Sequence, residues 1–354
     1  MGLDMVNLSH MDFLDYLKIT AEEIDGELES FFRKWVKEVE NVSPRLKYLN
    51  DAFIKANEGG KRLRGALIKL GYEMAGGKPT PDILKPAAAY EIFQTGILAH
   101  DDIIDQADLR RGKPTLYKEL GGDHHGISQT ICLGDIGYFL AARLIAENSF
   151  PVERKNKAMI LFSQAILETA LGQMLDVEIP YSKGEKEEVD ALTIFRLKTA
   201  RYTIVGPLQL GAILAGASEQ LLEDITNFGD KLGIAFQIQD DILGVFGDEK
   251  GLGKSVTSDI EEGKNTLLII HALKNSNLKQ KEILNSFYGR GKIGEQELEQ
   301  IKQVFVDTGA LKYSQDKARE LISQAREVIE RMEMGDKYRQ LLIQMSGFLV
   351  QRQK

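Results

Sequence analysis

The sequence predicts an all-α protein folded as a single domain, residues 1–354. Apolar side chains recur at steps of three and four residues, which is the periodicity of an amphipathic helix. Runs that alternate apolar and polar residues between turn signals are nearly absent, so no strand is predicted. Length alone favours about two domains, but none of the loops has the composition of a flexible linker, and this favours one.

The helical pattern divides the chain into three parts. Residues 1–43 carry N-terminal helices, residues 44–275 form the core with the chemical motifs described below, and residues 276–354 carry C-terminal helices. The long helices predicted in the core span residues 86–107, 126–148, 152–179, 189–217 and 218–246. Pro86 suits a first helical turn, where its missing N–H costs nothing. Residues 276–334 alternate basic and acidic side chains around an apolar stripe, as solvated surface helices do.

Charge and cysteine content exclude several classes of protein. The net charge of -8 argues against a nucleic-acid partner, which would require a basic surface. The single cysteine, Cys132, rules out an internal disulfide framework and fits a reducing compartment. The N-terminus does not have the pattern of a signal peptide, and the most apolar long stretch, residues 203–217, is too short to span a bilayer. We therefore expect a cytoplasmic protein with no membrane span.

Aspartates at the end of an apolar helix are the strongest local signal. In the run HDDIID at residues 100–105, Asp101 and Asp105 are one helical turn apart and share a face. Stacked carboxylates repel each other, and a helix C-terminus disfavours acids, so bound cations would stabilise this arrangement. Mg²⁺ binds through one or two carboxylates plus substrate phosphates. A solvated helix end is the alternative, but Arg110 and Arg111 follow closely and suit bidentate phosphate contacts.

A second acidic pair, Asp240 and Asp241, lies late in another apolar helix. Such a pair is either buried with a metal or exposed at the helix end, and the first aspartate helix favours the metal. Lys198 lies in the middle of an apolar helix, where a surface role would be the default interpretation.

A glycine-rich turn at residues 59–60 predicts an anion site further towards the N-terminus. It opens a helix whose free backbone N–H groups favour anions, and Lys61 and Arg64 lie on the same side of that helix. The spacing differs from that of a nucleotide-binding loop, and the strands of a nucleotide fold are not predicted.

These motifs resemble those of the trans-isoprenyl diphosphate synthase (polyprenyl synthetase) family, in particular geranylgeranyl diphosphate synthases. One such motif is weak, whereas seven in the family's order are specific, and they run from about residue 53 to residue 264. They are GGKRLR at 59–64, DDIID at 101–105 preceded by Gln94, RRGKPT at 110–115, GQMLD at 172–176, KT at 198–199, FQIQDD at 236–241 and the GK…EGK loop at 253–264.

The resemblance implies an antiparallel helix bundle around a deep central cavity, usually a homodimer, with the aspartate motifs facing each other at its mouth. It implies a prenyltransferase that condenses isopentenyl diphosphate with an allylic diphosphate and releases diphosphate. In that reaction the allylic diphosphate ionises, the isopentenyl double bond attacks the carbocation, and a proton is then lost, which we expect the released diphosphate to accept. Metal and basic groups would stabilise the departing charge.

Site residues follow from the same resemblance. Up to three Mg²⁺ would be bound by Asp101, Asp105 and Asp240, supported by Asp102 and Asp241. The allylic diphosphate would contact Arg110, Lys198, Lys254 and Lys264. Isopentenyl diphosphate would contact Lys61, Arg64, Gln94 and Arg111. Thr199 and Gln237 would lie beside the reacting carbons. The last acid of the second motif is replaced by Gly244, which leaves the ligands of the third metal open.

Product length is predicted from the helix before the first motif. Ile97 and Phe93 lie one and two turns before Asp101, roughly 6 and 12 Å deeper. In the family, bulky aromatic residues four and five positions before the motif stop the chain early. Here these positions are Ile97 and Gly96, so the upper cavity is open and Phe93 would form a floor for a product near C20. Ordinary core packing is the alternative role of Phe93.

The motifs distinguish this interpretation from most of its alternatives. A longer-chain polyprenyl diphosphate synthase shares all of the motifs. A non-catalytic subunit of a heteromeric prenyltransferase would have lost acids from the first motif, which is intact here. A terpene cyclase would not need the second diphosphate pocket that Lys61, Arg64 and Arg111 indicate. A di-iron bundle would require Glu-x-x-His pairs, and the sequence contains none.

Overall fold

The structure is a computed structural model that describes residues 12–182, 186–247 and 256–350. These ranges are almost entirely helical, which confirms the predicted all-α class. The first helices are α1 (Phe13–Val42), α2 (Lys47–Ala56), α3 (Leu63–Met74), α4 (Leu84–Ile104), α5 (Leu116–Glu119), α6 (His124–Ala146), α7 (Val152–Glu178), α8 (Glu188–Ile194) and α9 (Gly206–Ala215). They are followed by α10 (Glu219–Phe246), α11 (Ser258–Glu261), α12 (Leu267–Asn275), α13 (Leu278–Phe287), α14 (Glu295–Asp307), α15 (Ala310–Arg331) and α16 (Asp336–Val350).

A minimal hairpin follows α4, although the sequence predicted no strand. β1 (Leu109–Arg110) pairs antiparallel with β2 (Lys113–Pro114), with Arg110 opposite Lys113. The two residues between the strands, Arg111 and Gly112, have φ angles of 54° and 72°. Two left-handed residues in succession form the turn that joins hairpin strands most tightly. The turn therefore places the Arg110–Arg111 pair at a bend of the backbone.

The predicted helix at residues 189–217 is not one α-helix. It begins as α8, continues as a π-helix over Phe195–Val205, and resumes as α9 at Gly206. Pro207 has no N–H to donate, so an α-helical hydrogen bond cannot be made at that position. π-Helical segments are rare and often lie at functional sites, and this one carries Lys198 and Thr199.

Contacts divide the chain into two compact units, and each is described by itself. The first unit comprises described residues 12–163, 206–223 and 332–345. Within it, α4 packs against α6 and α3, and α3 packs against α9. Its fully buried side chains include Phe53, Ile68, Tyr90 and Phe93. The near absence of charge along α4 before Asp101 follows from this burial.

The second unit comprises described residues 164–205, 224–331 and 346–350. One apolar cluster forms its core, and its fully buried members include Ile260, Leu268, Ile301 and Phe305. The predicted C-terminal surface helices are observed as α13, α14 and α15. Each buries a narrow apolar stripe and exposes its charged side chains.

One described helix, Val152–Tyr181, is long and apolar enough to count as a candidate membrane span by length and composition. This helix differs from residues 203–217, which were identified from the sequence as the most apolar long stretch. Of its most apolar stretch of 18 residues, 28% is buried. The same criteria are met by core helices of soluble proteins, so this helix is weak evidence for a membrane span.

Candidate active site

The first aspartate motif lies at the C-terminus of α4, as predicted. The helix ends at Ile104, and the N–H of Asp105 still donates to the carbonyl of Asp101 at 2.8 Å. Asp102 is buried, at 3% exposure, whereas Asp101 and Asp105 are half-buried. The motif therefore presents two accessible carboxylates one turn apart and one buried carboxylate between them.

Arg110 contacts the first motif directly. Its Nε donates to Oδ1 of Asp102 at 2.7 Å, and its Nη2 donates to Oδ2 of Asp101 at 3.2 Å. Burial raises the pKa of Asp102 above its ordinary value, although the hydrogen bond from Arg110 acts in the opposite direction. The guanidinium therefore holds two adjacent carboxylates in fixed orientations.

The basic residues of the GGKRLR motif have different environments. Arg62 is buried with a φ of 50°, and its side chain donates to the carbonyl of Asn57 and to Oδ1 of Asp25, each at 2.7 Å. Arg62 is thus a structural residue that fixes the turn before α3. Lys61 is exposed and Arg64 is half-buried, so both side chains keep accessible surface.

Arg111 reaches back to this turn. A Cβ on Gly60 would lie 2.9 Å from Nη1 of Arg111, so the guanidinium lies directly against the glycine. Partial desolvation, followed by repulsion from Arg110 and Arg64, lowers the pKa of Arg111. The structure therefore brings Arg111 and Arg64 into one positive cluster. Gln94 is half-buried on α4.

In the second unit, the KT and GQMLD motifs meet. Nζ of Lys198 donates to Oδ2 of Asp176 at 2.9 Å. A Cβ on Gly172 would lie 2.9 Å from the backbone nitrogen of Lys198, so only glycine allows α7 to approach the π-helix this closely. GQMLD is one of the motifs of the family resemblance, but no role was predicted for Asp176. Its contact with Lys198 is seen only in the structure.

A hydrogen-bonded chain links the KT motif to the second aspartate motif. The hydroxyl of Thr199 donates to Oε1 of Gln237 at 2.7 Å. Nε2 of Gln237 then donates to Oδ1 of Asp241 at 2.8 Å. The Thr199 hydroxyl therefore fixes the orientation of the Gln237 amide. The amide in turn fixes the position of Oδ1 of Asp241. Thr199, Gln237 and Asp241 are therefore neighbours, and the predicted place of Thr199 and Gln237 beside the reacting carbons stays a prediction.

The other oxygen of Asp241 is buried and makes no hydrogen bond with the described residues. Asp241 is 6% exposed, and its Oδ2 has no hydrogen-bond partner among the described residues. Burial raises the pKa of Asp241 far above its ordinary value, and the charges of Asp259 and Asp240 raise it further. A buried carboxylate with negative neighbours is stabilised by a cation. The oxygen donors present here are those that Mg²⁺ prefers.

Within the described ranges, no group of three or more His, Cys, Asp and Glu side chains converges on a point that could hold a metal. Protein side chains there do not form a closed cage for a metal. Mg²⁺ is commonly bound by one or two carboxylates together with water and substrate phosphates, and the aspartate motifs are compatible with that mode.

The loop after the second motif is described from residue 256 onwards. Lys254 lies outside the described residues, as do Gly253 and Asp248. Nζ of Lys264 lies 3.2 Å from Oδ1 of Asp259 and 3.1 Å from Oε2 of Glu262. Asp259 is buried and interacts with Asp241. No role was predicted for Asp259. The only signal for a further carboxylate in the sequence was Gly244, which replaces the last acid of the second motif.

The three residues assigned to product length differ in their surroundings. Phe93 is fully buried, with its ring 4.9 Å from that of Phe162 and 5.6 Å from that of Tyr138. A Cβ on Gly96 would lie 2.8 Å from the carbonyl oxygen of Gly134, so glycine is required there for α4 to pack on α6. Ile97 is half-buried and keeps accessible surface. Gly96 thus has a packing role that is independent of product length.

Comparison with known proteins identifies the family of this chain. The family described as polyprenyl synthetase matches residues 46–305, which includes both aspartate motifs. This chain belongs to the polyprenyl synthetase family. It is therefore a prenyltransferase of isoprenoid biosynthesis that elongates isoprenoid chains.

Similar proteins cover two thirds of the chain or more. Geranylfarnesyl diphosphate synthase of Aeropyrum pernix is 33% identical over 326 residues, which cover 90% of this chain and 98% of that enzyme. Geranylgeranyl diphosphate synthase of Sulfolobus acidocaldarius is 36% identical over 242 residues, covering 68% and 71%. The structure of geranylgeranyl pyrophosphate synthase from Corynebacterium glutamicum, complexed with isoprenyl diphosphate and magnesium, has a TM-score of 0.89 at 26% identity and covers 97% of this chain and 100% of that one.

Proposed function

We propose that this prenyltransferase condenses isopentenyl diphosphate with an allylic diphosphate in a Mg²⁺-dependent reaction and forms geranylgeranyl diphosphate. The observation that carries the metal dependence is the buried Oδ2 of Asp241, which has no hydrogen-bond partner among the described residues and lies near two further carboxylates. The solved Corynebacterium relative, which contains isoprenyl diphosphate and magnesium, supports the same proposal.

Asp101, Asp105 and Asp240 would hold the metal ions, supported by the carboxylate of Asp102 and by the buried Oδ2 of Asp241. When bound, Mg²⁺ supplies positive charge that stabilises the departing diphosphate. Arg110 already fixes the orientation of Asp101 and Asp102 through its hydrogen bonds. A preorganised carboxylate needs little rearrangement during ionisation, which is the condition for strong electrostatic catalysis.

The basic side chains would hold the diphosphates and leave the hydrocarbon tails to apolar surface. Lys198, Lys254, Lys264 and Arg110 would contact the allylic diphosphate. Arg111, Arg64, Lys61 and Gln94 would contact isopentenyl diphosphate. Burial, and after it repulsion from Arg110 and Arg64, lowers the pKa of Arg111, and an anion bound beside these guanidiniums would offset both effects, which supports the latter group.

Product length near C20 rests on the side chains of α4 before Asp101. The aliphatic Ile97 is smaller than an aromatic ring and keeps accessible surface, so chain growth past this point is allowed. The name of the Sulfolobus relative supports a C20 product. The name of the Aeropyrum relative, a geranylfarnesyl diphosphate synthase, favours a C25 product as the second candidate.

We also propose a homodimer whose interface includes one side of α7. Leu167, Leu171 and Met174 follow one another at steps of four and three residues and are each more than half exposed. Ala158, Phe162 and Ala165 of the same helix are buried. A one-sided apolar stripe of this kind suits a protein interface better than lipid, which would contact the helix all round. A cytoplasmic location of the dimer stays a prediction.

One assay tests the proposed activity. The purified chain is incubated with isopentenyl diphosphate and with dimethylallyl, geranyl or farnesyl diphosphate, and the products are sized with Mg²⁺ or with EDTA. We expect a C20 product that EDTA abolishes. Asp101→Asn and Asp240→Asn should each lower kcat by at least about a hundredfold, whereas Asp307→Asn, an exposed acid on α14, should not. Undiminished activity in EDTA would contradict the metal dependence.

A further inference from the structure

The loop that carries Lys264 is bound by a turn that lies outside all of the motifs. This turn, residues 288–293, directly follows α13. The N–H of Gly289 donates to the carbonyl of Ile260 at 2.8 Å, and the N–H of Ile293 donates to Oε1 of Glu261 at 3.2 Å. The backbone of the turn therefore runs along the segment that leads into Lys264.

Two glycines set how closely these segments approach. Gly263 and Gly289 have φ angles of 72° and 71°, which disfavour any other residue. A Cβ on Gly263 would lie 2.8 Å from Cα of Gly289. The turn and the loop therefore touch through their backbones immediately before Lys264, and no side chain separates them.

Tyr288 makes the contact that reaches Lys264 itself. Its hydroxyl donates to the backbone carbonyl of Lys264 at 2.6 Å. That carbonyl also accepts from the N–H of Thr266 at 3.0 Å. Burial raises the pKa of Tyr288 well above its ordinary value, so the phenol keeps the proton that it donates.

Lys186 supports the same contact from another part of the chain. Its Nζ donates to the carbonyl of Gly263 at 3.1 Å and lies 5.3 Å from the centre of the Tyr288 ring. That distance is within the range of a cation–π interaction. The carbonyls of two successive residues, Gly263 and Lys264, are thus held by two side chains that contact each other.

We propose that Tyr288 is a positioning residue for Lys264, and that it fixes the backbone from which the Lys264 ammonium reaches the allylic diphosphate. The inference rests on the proposed function, in which Lys264 contacts that diphosphate. The ammonium is already directed by Asp259 and Glu262. Tyr288 fixes the other end of the residue, so main chain and side-chain tip are both restrained. A long side chain restrained at both ends loses less conformational entropy when its ligand binds.

Tyr288→Phe tests the proposal, because it keeps the ring beside Lys186 and removes only the hydroxyl. We expect the KM for the allylic diphosphate to rise about fivefold, the effect of one lost hydrogen bond. The KM for isopentenyl diphosphate should not change. Calorimetric titration with an allylic thiolodiphosphate, which ionises poorly, should show the same fivefold loss of affinity without turnover.

Tyr313→Phe is the matched control. The Tyr313 hydroxyl donates to the carboxylate of Glu188 at 2.7 Å in the same unit. Its removal should lower the melting temperature but leave the affinity for the allylic analogue unchanged. Equal losses of affinity in the two variants would overturn the proposal, because a general loss of stability would then explain both.

Lys264→Ala separates this inference from the proposed function. If Lys264→Ala binds the allylic analogue as tightly as the wild type, the role of Lys264 fails and the role of Tyr288 fails with it. If Lys264→Ala binds weakly and Tyr288→Phe does not, the role of Tyr288 alone fails. In the double variant we expect no loss beyond that of Lys264→Ala. A further fivefold loss there would show that Tyr288 acts independently of Lys264 and would overturn the proposal.

Discussion

Lys198 and Asp176 form an ion pair over 2.9 Å between the π-helix and α7. Both side chains are mostly buried, so the pair is screened less by solvent than a surface pair. The π-helix shifts the register of the chain around Lys198, and Gly172 lets its backbone approach α7. Lys198 is therefore oriented before any substrate binds.

Asp176→Asn is expected to weaken the allylic substrate's binding by releasing Lys198. The amide keeps the shape of the carboxylate but loses its charge, and a charge-assisted hydrogen bond contributes about 1.5–3 kcal/mol. We expect kcat/KM for the allylic diphosphate to fall by about tenfold or more. Steady-state kinetics measures this. Asp230→Asn is the control, because Asp230 pairs with Arg201 of the same π-helix at 2.9 Å. Asp230→Asn should leave kcat/KM for the allylic diphosphate nearly unchanged. An equal fall of kcat/KM in both variants would mean that any disturbance of the π-helix lowers activity, and it would contradict a specific role of Asp176.

Thr199→Val is expected to disturb Asp241 through Gln237. Without the hydroxyl, Oε1 of Gln237 loses its donor and the amide is free to rotate away from Asp241. We expect kcat to fall by about tenfold, and the Mg²⁺ concentration for half-maximal activity to rise. Thr169→Val removes a buried hydroxyl that bonds within its own helix, to the carbonyl of Ala165 at 2.7 Å. This control should lower stability without changing the Mg²⁺ requirement.

Phe93→Ala tests whether Phe93 limits the length of the product. Phe93 is fully buried among aromatic rings, so its truncation should lower the free energy of unfolding by about 3–5 kcal/mol. If Phe93 forms the floor, the product should also lengthen beyond C20, as chromatography of the dephosphorylated products would show. Phe162→Ala removes a neighbouring buried ring and is the control for stability alone. An unchanged product length in Phe93→Ala rules out Phe93 as the floor.

Leu171→Glu is expected to convert a dimer into monomers. Leu171 lies in the exposed stripe of α7, and a charge at the centre of an apolar interface costs several kcal/mol when it is desolvated. Sedimentation velocity measures the outcome. Leu278→Glu changes a more exposed leucine outside the stripe and should keep the wild-type mass. A wild-type protein that is already monomeric would contradict the proposed interface.

Glu73→Gln should alter the pH dependence of stability. Burial raises the pKa of Glu73 in the folded protein above its value in the unfolded chain. Below the ordinary carboxyl range both states are protonated, so the variant should match the wild type. As pH rises through that range and then through the raised folded pKa, ionisation favours the unfolded wild-type chain. The variant should therefore become more stable than the wild type towards neutral pH, as urea unfolding at several pH values would show.

Glu38→Gln should show the opposite sign in the same experiment. Hydrogen bonds from Arg143 lower the pKa of Glu38, so its ionised form stabilises the fold above the ordinary carboxyl range. This stability is lost as pH falls through the lowered folded pKa. Glu38→Gln should be less stable than the wild type near neutral pH and equal to it in acid. The same sign for both variants would contradict these pKa shifts.

Patterns that depend on near neighbours in the chain were readable from the sequence. The helix that ends at Ile104 was predicted because periodicity, apolar content and the break after it all lie within about twenty residues of sequence. The motif order was sufficient to identify the family and its chemistry. The short hairpin and the π-helix were missed, because two left-handed residues and a shifted helical register leave little trace in apolar periodicity.

The sequence by itself determined the family and the candidate side chains for the chemistry: the aspartates of two helices and the basic residues that accompany them. Only the tertiary structure decided which partners these side chains have, such as Asp176 for Lys198, Arg110 for Asp102 and Tyr288 for the backbone of Lys264. The physical reason is that hydrogen bonding and desolvation depend on which distant segments are brought within a few ångströms of each other. Spacing along the chain does not contain that information.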